Sequence, residues 1–406
     1  MAGSRVGEVR PTQLLSTYGV GSTVDLPQIS VMVMGLDDWP LAKMEDIRED
    51  RLLRLVRHLL GTQVRQLKAA PVSEDQGLFD GGSIPEGVPV ASFPRWLVCT
   101  HCKLLAPVSS GLFEFRADSQ RPERSRYVHT NCQRRHVEAI PARFLVACEN
   151  GHIDDFPWLE YLHDGNSGCT GPLDLKDVGP TGEAADTWLG CKACQARKPM
   201  AVAFSEDGRA RLPRCRGWHP HLRVAPALGC DCPVRPMVLG ATNQWFSKVY
   251  SALSIPSTAD PLEQLVEQDL SSLFDDVESP REAGLARRGQ ARYEIYTDAQ
   301  IWAAIEKLRT PDSDAPVSPQ DLKIPEWRLF SRPDPAKNNR DLQVRVVDPP
   351  AAYRGWIEKV VLIDKLREVR ALASQGVIEV TPALWRAAET MAWDAIRYEC
   401  SSTSDS

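Results

Sequence analysis

The spacing of the cysteines is the strongest constraint on the fold of this 406-residue chain. Ten of its eleven cysteines lie in the segment from Cys99 to Cys232, and two pairs of them have two residues between the cysteines. Two thiolates in a CxxC knuckle can bind one metal ion from a single tight turn, and a second pair completes a tetrahedral site. Secreted disulfide scaffolds are shorter and richer in cysteine, so we expect these thiols to be reduced and to bind metal.

The first predicted metal site combines two such knuckles. The segment Cys99-Thr-His-Cys102 is followed by His129-Thr-Asn-Cys132, which adds a nitrogen and a third sulfur. This combination is typical of a structural zinc site of the Cys₃His type. His101 and His136 are competing nitrogen ligands. The predicted ligands are Cys99, Cys102, His129 and Cys132.

A second predicted site starts from the knuckle Cys191-Lys-Ala-Cys194, which two later thiols would complete to a Cys₄ site. The predicted ligands are Cys191, Cys194, Cys215 and Cys232, with Cys230 as the alternative to Cys232 and with Cys169, His219 and His221 as further candidates. Four protein ligands leave no open position for a water molecule. Both metal ions are therefore predicted to be structural zinc, whose binding free energy contributes to folding.

The segment between these sites allows two interpretations. The residues in this segment that could carry chemistry are Cys148, His152, Asp154 and Asp155. Such a set is typical of a catalytic metal site or a cysteine–histidine nucleophile pair, as in a metal-dependent nuclease or hydrolase, but no further base or ligand stands at a supporting spacing. The favoured interpretation is a turn at Asn150-Gly151 that leads from a strand to a helix capped by one of the aspartates.

No Walker A loop, nuclease carboxylate set, kinase loop or GxSxG nucleophile elbow occurs in the sequence. These are the common motifs by which catalytic machinery is recognised. We therefore expect a protein that is not an enzyme.

Charge is unevenly distributed along the chain, whose formal net charge is −6. Residues 90–240 carry 19 basic and 16 acidic side chains, whereas both flanking parts are acidic. Tyr127 and Trp218 are interleaved with the arginines, and phosphate contact with base stacking requires this combination, although a solvated face has a similar composition. A stand-alone DNA-binding module is a further hypothesis. The predicted DNA-binding residues are Arg124, Arg126, Arg134, Arg135, Arg214 and Arg216.

The fold class predicted from these patterns is α+β and multi-domain, with a zinc-ribbon-like β-region in the middle and mainly helical flanking parts. No apolar run approaches the roughly 18 residues that a bilayer span needs, so we expect a cytoplasmic protein without a membrane partner. The predicted segments are an N-terminal extended and helical region (1–92), a double zinc-binding region (93–240), a helical region (241–345) and a C-terminal segment with a frayed tail (346–406).

Several motifs together resemble one family. They are Arg10-Pro-Thr-Gln-Leu-Leu15, Tyr18-Gly-Val-Gly-Ser22, Val24-Asp-Leu-Pro27, Ser30-Val-Met-Val-Met-Gly-Leu36, Pro94-Arg-Trp96, the run from Arg143 to Trp158, Gly240-Ala-Thr-Asn243, Ser251-Ala-Leu-Ser-Ile-Pro256 and Leu366-Arg-Glu-Val369. The ordered set is similar to the DrmB family of the DISARM anti-phage defence systems. DrmB proteins are Cys-rich partners of the DrmA helicase.

The resemblance implies a non-enzymatic subunit that docks on an SF2-type helicase of the DrmA kind and helps it to engage phage DNA. It runs from about residue 10 to residue 372, and members of that family continue beyond this point. The resemblance therefore also implies a chain that is shortened at its C-terminus.

Overall fold

The fold is described from a computed structural model. It describes residues 5–61, 63–71, 87–118, 120–165, 168–179, 184–225, 229–241, 245–255, 262, 265–266, 269–270, 272–309, 318–376 and 396–401. The chain divides into two units: the first is formed by Met1–Ala252 and Glu368–Cys400, and the second by Leu253–Arg367 and Ser401–Ser406. The division into four segments stays a prediction. The predicted frayed tail lies outside the described residues from 402 onwards.

The N-terminal part of the first unit is a mixture of short strands and helices. Its elements are α1 (Pro11–Ser16), β1 (Thr23–Asp25), β2 (Ser30–Val33), β3 (Asp46–Ile47), α2 (Asp50–Leu60), β4 (Leu67–Lys68) and β5 (Val90–Ser92). Strands β1, β2 and β5 form an antiparallel sheet, and β3 pairs with β4. Helix α2 buries Leu52, Leu55 and Val56 at helical spacing and ends at Gly61, whose φ of +100° favours glycine.

Strands dominate the cysteine-rich part. In chain order its elements are β6 (Trp96–Cys99), β7 (Leu104–Pro107), β8 (Phe113–Arg116), β9 (Arg126–His129), β10 (Val137–Pro141), β11 (Phe144–Cys148), β12 (Ile153–Asp155), α3 (Trp158–Leu162), β13 (Leu173–Asp177), β14 (Thr187–Cys191), β15 (Arg197–Pro199), α4 (Met200–Phe204), α5 (Glu206–Ala210) and β16 (Val234–Val238). Eight strands form one sheet in the order β15-β14-β13-β7-β6-β10-β9-β8, and a second sheet has the order β12-β11-β16.

The large sheet contributes to two hydrophobic clusters because successive strand residues point to opposite faces. Leu97 and Cys99 of β6 pack in the cluster that holds β1 and β2, whereas Val98 packs with Trp158 in the other cluster. The centre of the sheet is therefore covered by apolar side chains on both faces, and this burial holds the cysteine-bearing turns at its ends.

The segment after Cys148 differs from the expected strand-to-helix turn. Asn150-Gly151 does form a turn, with a φ of +80° at Gly151, but Asp154 and Asp155 belong to strand β12. The N-cap of α3 is Pro157, so the prediction that an aspartate caps this helix is wrong. The aspartates instead pair with β11, which is buried along its whole length.

The second unit is built on helices and an antiparallel strand pair. Its elements are α6 (Pro280–Ala286), α7 (Asp298–Arg309), α8 (Pro319–Ser331) and β18 (Leu342–Val347), and strands β17 (Phe246–Leu253), β19 (Val360–Gly376) and β20 (Ile396–Ser401) include the points at which the two units are divided. Strand β18 pairs with the first part of β19. A helical core surrounds the fully buried Phe274 and Tyr293. Helices α6 to α8 lie within the part of the chain for which a helical region (241–345) is predicted.

The α+β class and the cysteine-rich β-region in the middle of the chain are confirmed. The flanks hold more strand than predicted, because β1 to β5 precede the cysteine-rich part and β17 to β20 follow it. The 17-residue strand β19 (Val360–Gly376) begins with an apolar run of four residues, after which charged and apolar residues are mixed. Within the described residues, no helix is long and apolar enough to cross a bilayer.

Candidate metal centres

Three groups of four cysteine and histidine side chains come together in the part of the chain that the structure describes. In each group the four candidate ligand atoms all lie within 4.8 Å of one another. The first cluster is Cys99, Cys102, His129 and Cys132; the second cluster is Cys148, His152, Cys215 and Cys230; the third cluster is His163, Cys169, Cys191 and Cys194. All three belong to the first unit.

The first cluster is assembled by three neighbouring strands of the large sheet. Strand β10 lies between β6 and β9, and it places Ala139 opposite Cys99 and Val137 opposite His129. After Cys102 the backbone of Lys103 is left-handed, with a φ of +60°, and its N–H donates to the Cys99 carbonyl at 3.0 Å. This tight turn directs both thiols of the knuckle to one point.

The four predicted ligands of the first site are thus brought together. The Cys99 and Cys132 sulfurs are 3.8 Å apart, and Cys102 Sγ lies 3.5 Å from His129 Nδ1. Burial lowers the pKa of the His129 imidazole, which favours the neutral ring that binds metal. The competing histidines, His101 and His136, are exposed and lie outside the cluster.

The third cluster is built around the other CxxC knuckle, at the end of β14. Gln195 follows Cys194 with a φ of +65°, and its N–H donates to the Cys191 carbonyl at 3.1 Å, as Lys103 does in the first cluster. Cys169 Sγ lies 3.6 Å from Cys191 Sγ, and Cys194 Sγ lies 3.4 Å from His163 Nε2. The knuckle therefore meets two residues from the segment that follows α3.

His163 is held in a suitable orientation for a metal ligand. It stands directly after α3, and its Nδ1 lies 3.0 Å from the Leu159 carbonyl oxygen, to which it can donate. A ring that donates through Nδ1 presents Nε2 as the metal-binding atom, and such a bond fixes both tautomer and ring orientation. Nε2 is the atom that faces Cys194.

The second cluster lies at one end of the smaller sheet, where the β11–β12 hairpin turns and β16 begins. The hairpin between β11 and β12 carries Cys148 and His152, and Cys148 Sγ lies 3.3 Å from His152 Nδ1. Strand β16 pairs with β11 so that Val234 stands opposite Cys148, which brings the preceding Cys230 into reach. Hydrogen bonding from the Cys215 thiol and from His152 lowers the pKa of Cys148 to about 4, although burial opposes this shift.

The predicted second site is therefore wrong as a single set, because its members fall into two clusters. The Cys191–Cys194 knuckle lies between β14 and β15 of the large sheet, whereas Cys215 and Cys230 approach the β11–β12 hairpin. Cys230, the alternative in the prediction, is the cluster member. Cys232 lies outside it, although Asn150 Nδ2 contacts both sulfurs, Cys230 Sγ at 3.5 Å and Cys232 Sγ at 3.3 Å.

Of the other candidate ligands, some belong to a cluster and some do not. Cys169 belongs to the third cluster, whereas His219 and His221 belong to none, although the His219 ring lies 4.7 Å from the ring of His152. The sequence prediction missed His163, and it considered Cys148 and His152 only for catalysis. The signal available in the sequence was their spacing, because Cys148-x₃-His152 and His163-x₅-Cys169 each place two donors within a few residues of each other.

The interatomic distances fit a tetrahedral ion of the size of zinc. With Zn–S bonds of about 2.3 Å and Zn–N bonds of about 2.0–2.1 Å, a tetrahedron separates two sulfurs by about 3.8 Å and a sulfur from a nitrogen by about 3.6 Å. The sulfur–sulfur distances in the first and third clusters are 3.8 and 3.6 Å, and the three sulfur–nitrogen distances, one in each cluster, span 3.3 to 3.5 Å. Each cluster therefore has the ligand number, chemistry and spacing to hold a metal ion.

Asp154 and Asp155 lie next to the second cluster and are engaged by arginines instead. Arg95 donates from its main-chain N–H and Nε to the two oxygens of Asp155 at 2.8 and 2.6 Å, and from Nη2 to Asp154 at 2.5 Å. Arg216 donates to the other oxygen of Asp154 at 2.5 Å. Burial raises the pKa of Asp155, and the Arg95 charge opposes this shift. The four residues of the alternative nuclease site are thus divided between a cysteine–histidine cluster and an ion-pair network.

The six predicted DNA-binding arginines are all exposed. Arg124 and Arg126 lie at the start of β9, and Arg134 and Arg135 lie in the turn that joins its other end to β10. Arg214 and Arg216 flank Cys215. Arg214 Nη1 lies 3.4 Å from the Asp231 carbonyl oxygen, and Arg216 forms an ion pair with Asp154. Exposed arginines thus stand beside both the first and the second cluster.

Comparison with known proteins places these features in a family. Residues 10–246, more than half of the chain, match the family described as "Domain of unknown function (DUF8724)". The chain is also similar to the DISARM protein DrmB of Bacillus paralicheniformis, with 26% identity over 304 residues. This similarity covers 70% of the chain and 51% of that protein, so the chain spans about half the length of the curated relative it matches. The resemblance to DrmB proteins is thereby confirmed, and the chain belongs to the DUF8724 family.

Proposed function

We propose that this protein is a non-enzymatic, zinc-binding subunit of a DISARM-type anti-phage defence complex. The observation that carries the proposal is the presence of three closed cysteine–histidine clusters within the residues that match the family. Four protein ligands complete a tetrahedral shell, so each ion would stabilise the fold rather than activate a water molecule. The similarity to DrmB is the reason for proposing a defence complex of the DISARM type.

Zinc is the metal that the donor sets favour. Thiolate and imidazole are the ligands of structural zinc sites, whereas magnesium and calcium prefer oxygen ligands. When bound, zinc would lock together strands that are distant in the sequence. Cys99, Cys191 and Cys148 would hold the ends of β6, β14 and β11, and the later cysteines would tie the loops to them.

The partner that we propose is an SF2-type helicase of the DrmA kind, and the complex would engage phage DNA. Support comes from the basic balance of residues 90–240, the exposed arginines beside the clusters, and the acidic balance of residues 241–406, which suits a basic partner. In this proposal the chain contributes a metal-stabilised surface, and the helicase contributes the motor.

Co-purification with a helicase of the DrmA kind tests this proposal. A tagged helicase should retain the chain through size exclusion, and a variant in which Cys99 and Cys102 are replaced by serine should be retained less because its first cluster is lost. The matched control replaces His101 and His136 by alanine. Both histidines are exposed and lie outside the clusters, so this variant should leave the complex intact. A chain that elutes apart from the helicase in every preparation would contradict the proposal.

The rival function is metal-dependent cleavage at Cys148, His152, Asp154 and Asp155. The arginine contacts to both aspartates support the non-enzymatic proposal, because carboxylates paired in this way are not available to a metal ion or a water molecule. The test measures nuclease and hydrolase activity of the wild-type protein and of a His152→Ala/Asp155→Ala variant. Cleavage that disappears in the variant would establish the rival function.

A further inference from the structure

A groove of about 550 Å³ borders the second cluster. Its volume falls within the range typical of sites for small organic groups, about 300–1,000 Å³. His152 and Cys215 form part of one wall, and Arg95, Trp158 and Trp218 contribute to the rest. We propose that this groove binds an unpaired base of single-stranded DNA. The inference rests on the proposed engagement of DNA and names the site where it occurs.

The first argument is the hydrogen-bonding capacity of the lining, which has a surplus of donors. All four oxygens of Asp154 and Asp155 already accept hydrogen bonds from arginine or main-chain groups. The guanidinium groups of Arg95 and Arg216 have five N–H donors each, of which these contacts use only a part. A ligand that fits such a lining must therefore offer acceptors.

Two tryptophans contribute ring surface to the same groove. They are Trp158, which is 1% exposed, and Trp218. The Nε1 atom of each ring is buried. The arginines therefore supply the donors of the lining, and the tryptophans supply aromatic surface.

The second argument is the charge of the lining, which excludes a bare anion as the preferred ligand. Three arginines, Arg95, Arg214 and Arg216, face three carboxylates, those of Asp154, Asp155 and Glu160. Formal charges therefore cancel within the groove. A neutral ring that carries carbonyl oxygens and ring nitrogens satisfies the surplus donors without needing a net positive site, and nucleobases have this chemistry.

The third argument is the stacked pair of Arg95 and Trp218. The Arg95 guanidinium carbon lies 5.4 Å from the centre of the Trp218 ring. Unpaired bases stack on aromatic rings and on guanidinium planes, and each such base contributes about 1–3 kcal/mol to binding. A base within a duplex is stacked and paired, so a concave groove of this size admits a base only from a single strand. Arg214, which is exposed at the groove, is placed to contact a flanking phosphate.

Fluorescence anisotropy with the full chain tests the inference. The probes are a fluorescein-labelled oligothymidylate of about 12 nucleotides, within the usual site sizes of single-strand binders, and a duplex of the same length. We expect Trp218→Ala to weaken binding of the single strand by about 5- to 150-fold with an unchanged salt dependence. Arg214→Ala should weaken it less and reduce the salt slope by about 0.7, as for one lost phosphate contact.

Arg116→Ala and Trp188→Ala are the matched controls, because both residues are exposed and neither contributes to the groove. Zinc content is measured for every variant. If Trp218→Ala loses zinc, Trp218→Phe and Arg214→Ala decide the question: phenylalanine keeps a smaller aromatic ring, so Trp218→Phe should weaken single-strand binding less than Trp218→Ala does.

The outcomes separate this inference from the proposed function. Single-strand binding that is reduced in the groove variants and kept in the controls supports the site. Binding that stays at the wild-type level in all groove variants, or that is equally tight for the duplex, overturns the inference and leaves DNA engagement by the complex standing. Absence of DNA binding by both the chain and its helicase complex overturns both.

Discussion

Single residues decide which thiols meet in this protein. Lys103 and Gln195 each follow a CxxC pair with a left-handed backbone, and each donates to the carbonyl of the first cysteine. The spacing of the two cysteines predicts this turn, because a knuckle must reverse the chain to direct both sulfurs to one ion. It does not predict which nitrogen completes the site. His129 stands in a second knuckle-like pair, whereas His163 depends on where α3 ends.

Cys230 and Cys232 provide a test at this scale. Cys230 belongs to the second cluster and Cys232 does not, so Cys230→Ser should remove one equivalent of zinc while Cys232→Ser should retain all of it. Zinc bound per chain, measured after gel filtration, checks this expectation. Loss of zinc in Cys232→Ser together with retention in Cys230→Ser would reverse the assignment.

Arg95 provides a second test, because it holds Asp155 in the core. The Asp155 side chain is 5% exposed and accepts two hydrogen bonds from Arg95. The Arg95 side chain is 41% exposed, so the relevant cost is that of leaving a buried Asp155 oxygen without its side-chain donor, about 1–3 kcal/mol, and Arg95→Ala should lower the free energy of unfolding by an amount of this order. Chemical denaturation measures the effect. Arg235→Ala is the control, since its pair with Glu149 is exposed.

The double variant completes this second test. Arg95→Ala/Asp155→Asn should recover part of the lost stability because the buried carboxylate is no longer charged. If Arg95→Ala unfolds at the same denaturant concentration as the Arg235→Ala control, the ion pair does not stabilise the core.

Pairing between distant strands sets the limit of sequence-based prediction at the scale of the element. The first cluster is formed by β6, β9 and β10, which lie in one short stretch of the sequence, and its four ligands follow from local spacing. The second cluster depends on the pairing of β11 with β16, strands about 90 residues apart, which no spacing rule reveals. Sequence spacing therefore groups Cys215 with the preceding knuckle, whereas the structure places it at the β11–β12 hairpin.

The junction of α4 and α5 permits a test of packing between elements. A Cβ atom at Gly208 of α5 would lie 1.7 Å from the Val202 carbonyl oxygen of α4, a backbone atom that cannot rotate away. Overpacking of this kind costs about 1–3 kcal/mol, so Gly208→Ala should lower the melting temperature. Gly87→Ala is the control, because nothing lies within 4 Å of a Cβ there. Equal melting temperatures of both variants would contradict the described junction.

At the scale of the whole molecule, the three cysteine–histidine clusters found among the described residues all belong to the first unit. All eight histidines and ten of the eleven cysteines precede residue 233, and residues 253–367 contain neither type. The helical core around Phe274 and Tyr293 is instead held by apolar contacts and by the hydrogen bond of 2.6 Å from the Tyr293 hydroxyl to Asp269. The broad class and the position of the cysteine-rich region were predictable, because composition and local spacing carry that information.

Chelation should therefore act on one unit. Treatment of the full chain with a strong zinc chelator should increase amide hydrogen exchange in β6, β11 and β14, whose ends carry the cysteines, because metal binding contributes to their folding. Exchange in α6 and α7 should change little. Hydrogen-exchange mass spectrometry measures both, and equal deprotection of α6 and α7 would contradict the separation of the units.

The number of zinc ions per chain tests the central claim most directly. Three separate clusters predict three equivalents, whereas the grouping of cysteines by sequence spacing alone predicts two. The protein should be purified without added metal or chelator, and zinc and protein should be quantified on the same sample by elemental mass spectrometry and amino-acid analysis. Three zinc ions per chain are expected. Two or fewer ions in a folded, monodisperse sample would contradict the account of three closed metal centres.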